Sequence, residues 1–124
     1  MNLLLDSNAL IWWLRNDGTL SATAVAAIND ASAVYVSVAA VWEIAIKRNL
    51  GRLRVPDDLQ EQIERHRFAP LVISLEHALV AGSLPRHHDD PFDRMQIAQA
   101  QVEDLVIVSR DGEFAPYGVP VLRA

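Results

Sequence analysis

The sequence contains no cysteine, which excludes disulfides, thiolate metal ligands and a thiol nucleophile together. Any metal ion must therefore be bound by oxygen or by imidazole nitrogen. The chain also lacks an apolar stretch approaching the roughly 18 residues that are needed to span a bilayer. No basic segment precedes the first apolar run, so the start does not resemble a signal peptide. We expect a cytoplasmic protein.

The sequence has fewer basic than acidic residues, 11 against 16, which gives a formal net charge of −5. This balance argues against a protein that holds nucleic acid through bulk positive charge. It does not exclude metal-dependent chemistry, since a divalent cation needs concentrated negative charge at one point. With 51% hydrophobic and 22% charged residues, the 124-residue chain has a globular composition. We expect a single domain over residues 1–124.

Short apolar runs alternate with helical patterns along the whole chain. Strands are predicted near residues 3–5, 34–36, 71–73, 105–108 and 119–122. Helices are predicted near residues 9–15, 21–30, 38–49, 56–66, 74–84 and 91–103. Nearly continuous apolar strands that alternate with helices are typical of a parallel sheet covered on both faces. The sequence therefore predicts an α/β fold, a three-layer α/β/α sandwich with a central, mainly parallel sheet.

Two aspartates follow predicted strands, where ligands of parallel α/β sheets gather. Asp6 comes after the first strand, and Asp111 comes after the strand at residues 105–108. Each also has a structural explanation, since Asp6 would cap the next helix and Asp111 would form a turn with Gly112. The two interpretations stay open for each residue. If the sheet is parallel, both side chains lie at its carboxyl edge.

Two further acids lie on predicted helices. Glu43 is surrounded by apolar residues, where an unpaired carboxylate is costly. An ion pair with Lys47, four residues on, is the structural alternative and would contribute only about 0.2–0.5 kcal/mol. Asp93 occupies the first turn of the helix that Asp90 would cap, where a carboxylate also favours the helix dipole. The starts of both helices can close over the carboxyl edge of the sheet.

Four carboxylates in one place need a counter-charge, because like charges raise each other's pKa. Mg²⁺ or Mn²⁺ supplies it and prefers oxygen ligands. A bound ion would also lower the pKa of a water molecule and stabilise the oxygens of an attack on phosphate. We therefore predict a metal-binding and catalytic set that consists of Asp6, Glu43, Asp93 and Asp111.

Four segments of the chain resemble PIN domains of the VapC type, the toxins of bacterial type II toxin–antitoxin pairs. They are residues 4–10 (LLDSNAL), 41–47 (VWEIAIK), 88–100 (HDDPFDRMQIAQA) and 108–111 (VSRD). The resemblance covers nearly the whole chain in order. Its PFDR-x-x-IAQA block is quite specific, whereas LDSN is weak alone.

The resemblance places the acids of the family on Asp6, Glu43, Asp93 and Asp111, around one or two Mg²⁺ or Mn²⁺ ions. Asp6 and Asp93 are the expected direct ligands. Ser7 matches a supporting hydroxyl position that usually carries threonine. The implied activity is endoribonuclease cleavage of structured RNA, often transfer or ribosomal RNA, at a single-stranded site. The implied partner is a small antitoxin that blocks the site, and the implied assembly is a homodimer.

The resemblance also suggests where RNA would bind. Basic residues near the expected rim would form a track for phosphate: Lys47, Arg48, Arg52, Arg54, Arg86, Arg94 and Arg110. Each of them is otherwise ordinary solvated surface. Trp12 and Trp13 would either stack on bases or, more in keeping with aromatic residues generally, pack in the core or in a dimer interface.

Three alternatives differ in class. A haloacid-dehalogenase-like phosphatase needs a second aspartate two residues after the first, where Asn8 stands. A histidine–aspartate phosphohydrolase is suggested by residues 87–90 (HHDD), but that class is all-helical and spreads its histidines over several helices. A loop that hydrogen-bonds and faces solvent is the preferred interpretation of this segment. The last alternative is a catalytically idle PIN fold that serves as a binding scaffold.

Overall fold

Five short parallel strands form the centre of the fold in a computed structural model that describes all residues from 1 to 124. The strands are β1 (Asn2–Leu5), β2 (Ala33–Ser37), β3 (Ala69–Leu71), β4 (Val106–Ser109) and β5 (Val121–Arg123). They lie in the order β3-β2-β1-β4-β5, and all neighbouring pairs are parallel. Because β1 is the central strand, the residue that follows it lies at the middle of the carboxyl edge.

Six α-helices connect the strands, as the sequence predicts. They are α1 (Ser7–Arg15), α2 (Ala22–Asp30), α3 (Val38–Asn49), α4 (Leu59–Arg65), α5 (Leu75–Ser83) and α6 (Pro91–Glu103). Five begin at a side-chain cap that accepts a backbone N–H of the first turn: Asp6, Ser21, Ser37, Ser74 and Asp90. A 3₁₀ helix over Gly112–Tyr117 was not expected.

Alternate side chains of the central strand enter two separate cores. Leu3 and Leu5 pack with residues of α1 to α4, whereas Leu4 packs with residues of α5 and α6. All three leucines are fully buried. A strand covered on both faces reads as a continuous apolar run, which is why the alternation is invisible in the sequence. The predicted three-layer α/β/α sandwich is confirmed.

The third strand lies two residues earlier than predicted. Its last pair joins Leu71 to Ser37, and Ser37 caps α3, so the neighbouring strand ends there. Val72 and Ile73, predicted to be in the strand, have nothing to pair with and are 67% and 39% exposed. The last strand is shifted in the opposite direction, because it starts at Val121 rather than at residue 119. No helix of the structure is both long enough and apolar enough to span a membrane.

Candidate metal centre

The carboxyl edge of the sheet carries the four acids that the sequence singles out. Asp6 follows β1, and its backbone N–H donates to the carbonyl of Val108 in β4 at 3.2 Å. Asp111 lies two residues beyond the end of β4. Glu43 lies in the second turn of α3, and Asp93 lies in the first turn of α6. Parallel pairing thus brings residues far apart in sequence to one edge.

The four carboxylates form a closed set of neighbours. The carboxylates of Asp111 and Glu43 lie close enough to Asp6 to raise its pKa, and that of Glu43 lies close enough to Asp93 to raise its pKa. Oxygen atoms of Asp93 and Asp111 lie within 4.8 Å of each other and of a ring nitrogen of His88. Their proximity is what the prediction required.

Asp6 is the most deeply placed of these aspartates, with 6% of its surface exposed. One carboxylate oxygen accepts the backbone N–H of Ala9 at 2.8 Å, so the helix-cap interpretation is also correct. Burial raises the pKa of Asp6, and hydrogen bonds from the Ser109 hydroxyl and from Ala9 only partly offset it. The hydroxyl of Ser109 also accepts the backbone N–H of Asp111 at 3.0 Å. A single hydroxyl group therefore connects Asp6 to Asp111.

Glu43 is held by two partners although only 7% of its surface is exposed. The Ser7 hydroxyl donates to Oε1 at 2.8 Å, and Lys47 Nζ lies 3.2 Å from Oε2. The predicted support from Ser7 and the alternative ion pair with Lys47 are both present. Because the two oxygens are engaged by different partners, the carboxylate has a fixed orientation next to Asp6 and Asp93.

The surroundings of Asp93 disfavour the charged form of its carboxylate. Burial raises its pKa from the ordinary 3.8 to about 6, and the nearby carboxylates of Asp90 and Glu43 add to the effect. His88 opposes the rise, because its Nε2 lies 2.7 Å from Asp93 Oδ2. That same hydrogen bond is the main cause of a raised pKa at His88. The charged form of Asp93 is thus costly without a cation close by.

Asp111 is the exposed member of the set. Its side chain caps the 3₁₀ helix by accepting the backbone N–H of Glu113 at 2.9 Å, so the predicted turn-forming role is also present.

Sequence reasoning assigned no role to Ser109 or to His88. A hydroxyl residue at a strand end is the signal that Ser109 offered. For His88 the only signal was its position two residues before Asp90, the residue that caps α6. His87 is one residue farther away and offers almost the same signal.

The segment that carries His88 is held in place by hydrogen bonds from two side chains. Tyr117 accepts the backbone N–H of His88 at 2.8 Å and donates to the carbonyl of Pro85 at 2.8 Å. Arg94 donates to the carbonyls of Pro85 and His88 at 3.0 and 3.2 Å. The loop predicted for residues 85–90 is present and makes hydrogen bonds, and His87 is exposed as expected, but the prediction that the segment faces solvent is wrong at His88.

The donor set suits a small divalent cation. It consists of carboxylate oxygens, the ligands that Mg²⁺ and Mn²⁺ prefer, with one imidazole nitrogen beside them and no thiolate. Two of the carboxylates are buried, and a bound cation favours their charged forms. The residues present therefore fit the metal ion that the resemblance implies.

A family model described as the PIN domain matches residues 3–119. The chain belongs to the PIN domain family. No curated protein sequence matches it closely enough to count as a relative.

Solved structures from three bacteria have the same fold. The DNA-bound VapBC of Salmonella typhimurium is 19% identical, with 98% of this chain and 97% of that chain covered and a TM-score of 0.74. A toxin–antitoxin complex from Klebsiella pneumoniae is 20% identical, with 98% and 96% covered and a TM-score of 0.68. FitAcB from Neisseria gonorrhoeae is 21% identical, with 98% and 96% covered and a TM-score of 0.66. These likenesses support the fold.

Three arginines of the basic track predicted for this PIN domain are engaged by other groups of the protein. Arg94 donates to four backbone carbonyls, and Arg110 donates to the carbonyls of Thr19 and Ala124 while its guanidinium lies over the Trp12 ring. Arg48 is paired with Asp57. Lys47 lies beside Glu43 with its side chain half exposed, at the rim as expected. Arg52, Arg54 and Arg86 are exposed, and their place on the track stays a prediction.

The side chains of the two adjacent tryptophans pack against other residues of the PIN domain. Trp12 and Trp13 are half-buried and lie against the core cluster of α1 to α4. Trp13 Nε1 donates to His66 Nδ1 at 3.2 Å. Together with Leu20 and Val25 they line a groove of about 320 Å³ on the α1–α2 side of the molecule. Packing, rather than base stacking, is their role in this structure.

Without divalent metal, we expect the free energy of unfolding to fall as the pH rises from about 4 to about 7. Folding raises the pKa of Asp6 and brings that of Asp93 to about 6, so the folded state binds more protons than the unfolded state above pH 3.8. The raised pKa of His88 acts in the same direction above its ordinary value of 6.5. Urea unfolding in EDTA at several pH values measures the trend. A stability that rises over this interval would contradict it.

Proposed function

We propose that this PIN domain is a metal-dependent endoribonuclease of the VapC type and the toxin of a toxin–antitoxin pair. The observation that carries the proposal is the convergence of Asp6, Glu43, Asp93 and Asp111 at the carboxyl edge of the parallel sheet. Burying carboxylates near each other costs stability unless a cation compensates them. Such a cost is usual at functional sites, and the helix caps made by Asp6 and Asp111 do not require the four acids to converge.

The residues have distinct parts in binding the ion. Asp6 and Asp93, whose carboxylates are largely buried, are the proposed direct ligands, and Asp111 and Glu43 complete the set. A bound Mg²⁺ or Mn²⁺ would lower the pKa of a water molecule and would stabilise the charge that develops on the phosphate. Ser7 and Lys47 keep Glu43 oriented, and the exposed half of Lys47 attracts the RNA phosphate to the rim.

The proposed antitoxin partner is supported by the neighbouring structures, several of which are toxin–antitoxin or VapBC complexes. The chain offers an apolar groove for such a partner, lined by Trp12, Trp13, Leu14, Leu20 and Val25. Exposed apolar surface of this kind is typical of protein interaction sites. We propose that an apolar helix of the antitoxin fills this groove.

The proposed homodimer is supported by a row of exposed apolar side chains on α3. Trp42, Ile46 and Leu50 lie at intervals of four residues and are 62%, 36% and 57% exposed. The Trp42 ring packs edge-to-face against the Phe92 ring, and the two ring centroids lie 5.3 Å apart. Residues four apart share one helix face, so a second copy of α3 would bury the row.

The decisive experiment is cleavage of end-labelled RNA by the purified chain. With a pool of transfer RNA as the probe, Mn²⁺ or Mg²⁺ is expected to give discrete products, and EDTA is expected to prevent them. A single-stranded DNA of matched sequence serves as the control and is expected to remain intact. No cleavage of any RNA despite measurable metal binding would overturn the proposal in favour of the idle scaffold. Equal cleavage of the DNA would overturn the RNA specificity.

A further inference from the structure

We propose that the imidazole of His88 is itself a ligand of the metal centre, so that the centre combines nitrogen with carboxylate oxygen. This inference rests on the proposed metal-dependent function. The catalytic set derived from the sequence contains carboxylates alone, and nothing in it assigns a role to His88. The consequence is a site that distinguishes between divalent cations rather than one that accepts any hard cation equally.

The first observation is the distance between the donor atoms. A ring nitrogen of His88 and carboxylate oxygens of Asp93 and Asp111 all lie within 4.8 Å of one another. Ligand atoms of one small divalent cation lie about 3 to 4 Å apart. Nε2 of His88 is 2.7 Å from Asp93 Oδ2, so the two atoms now share a proton. A cation that replaces this proton would be bound by both atoms after a small separation.

The second observation concerns the other ring nitrogen. Nδ1 of His88 lies 3.9 Å from Oε2 of Glu113, on the opposite side of the ring from Asp93. Metal-binding histidines almost always donate their second N–H to a carboxylate or a carbonyl, which fixes the tautomer and makes the ligand nitrogen more basic. At 3.9 Å the Glu113 carboxylate is beyond hydrogen-bond distance, but its exposed side chain can approach Nδ1 once a cation replaces the proton on Nε2.

The third observation is that the backbone at His88 is already fixed. Its N–H is bound to Tyr117, its carbonyl accepts from Arg94, and 19% of its side chain is exposed. His87, by contrast, is exposed and lies edge-to-face on the Tyr117 ring at 5.2 Å. Pre-organised ligands bind metal more tightly because less freedom is lost on binding. Two adjacent histidines therefore have different surroundings, and one of them is a natural control for the other.

Electron paramagnetic resonance of the Mn²⁺-loaded full-length chain tests the assignment directly. Hyperfine coupling from a directly bound nitrogen is expected in the wild type, absent in His88→Gln and retained in His87→Gln. Calorimetric titration is expected to show a loss of Mn²⁺ affinity of about 10- to 100-fold in His88→Gln. The loss of Mg²⁺ affinity should be smaller, because imidazole suits a transition metal better than it suits magnesium.

The outcomes separate this inference from the proposed function. Wild-type protein that binds Mn²⁺ and cleaves RNA without nitrogen coupling would overturn the ligand role of His88 and leave the nuclease proposal intact. Coupling that persists in His88→Gln would overturn it as well. Wild-type protein that binds neither metal would overturn the proposed function itself. Loss of coupling in His88→Gln alone, with normal folding by circular dichroism, supports the inference.

Discussion

Replacing Asp93 by asparagine is expected to reduce metal-dependent RNA cleavage by at least about 100-fold, as for other losses of charge at the point where reaction charge develops. The amide keeps the shape of the side chain and can still accept the hydrogen bond from His88. What it removes is the charge that a cation needs. Mn²⁺ is therefore expected to raise the melting temperature of the wild type and to leave that of Asp93→Asn unchanged.

The same change should stabilise the metal-free protein at pH 7.5. A pKa of about 6 against an ordinary 3.8 represents at most about 3 kcal/mol of unfavourable interaction, and solvent screening reduces this to about 1 to 2 kcal/mol. A variant that is more stable and yet inactive separates a functional carboxylate from a structural one. Urea unfolding in EDTA gives the stability, and the end-labelled RNA assay gives the activity.

Asp89→Asn is the matched control for this experiment. Asp89 is exposed and lies in the same segment, so the substitution removes the same charge without altering the carboxylate set. We expect it to cleave RNA within a factor of about 2 of the wild type, as befits a surface substitution. Asp93→Asn protein that cleaves at a similar rate, or that unfolds more easily in EDTA, would refute the functional assignment of Asp93.

The parts of the site that the sequence predicts depend on local signals. Asp6 is placed by an apolar strand that ends in a cap residue, and Asp93 is placed by the Asp90–Pro91 helix start. Once the sheet is taken as parallel, strand ends and helix starts meet at one edge without further information. Glu43 was singled out because its apolar surroundings made a solvated role costly, and it is indeed buried.

The parts that the sequence does not predict depend on contacts between distant residues. Tyr117, which fixes the backbone of His88, is 29 residues away from it, so nothing near residues 87 and 88 shows which histidine turns inward. β3 ends where its partner β2 ends. The Ser109 hydroxyl reaches Asp6 only because β4, which carries Ser109, lies next to β1. Such choices are made by tertiary packing and leave no periodic pattern.

Arg94 shows the same limitation, and its replacement by lysine is expected to destabilise the protein by about 2 to 4 kcal/mol. Its guanidinium donates to the carbonyls of Ala81 and Leu84 at 3.0 and 2.9 Å, where α5 ends, and to Pro85 and His88 beyond it. The last carbonyls of a helix have no partner within the helix. Lysine keeps the charge but cannot reproduce the planar fork that reaches four acceptors.

The cost follows from the carbonyls left behind. Ala81 and Leu84 are both 8% exposed, and a buried polar group that loses its partner costs about 1 to 3 kcal/mol. Because the His88 carbonyl is among the acceptors, Arg94→Lys is also expected to weaken Mn²⁺ binding, although Arg94 itself lies outside the carboxylate set. Urea unfolding measures the first effect, and calorimetric titration with Mn²⁺ measures the second.

Arg86→Lys is the control, since Arg86 is exposed and changes in the same chemical way. We expect its stability to stay within about 0.5 kcal/mol of the wild type. If Arg94 instead belonged to the phosphate track that the sequence suggested, lysine would preserve the stability and weaken RNA binding alone. Equal stability of the two variants would therefore restore that earlier interpretation. A large loss confined to Arg94→Lys would show that this arginine holds together the end of α5 and the segment that presents His88.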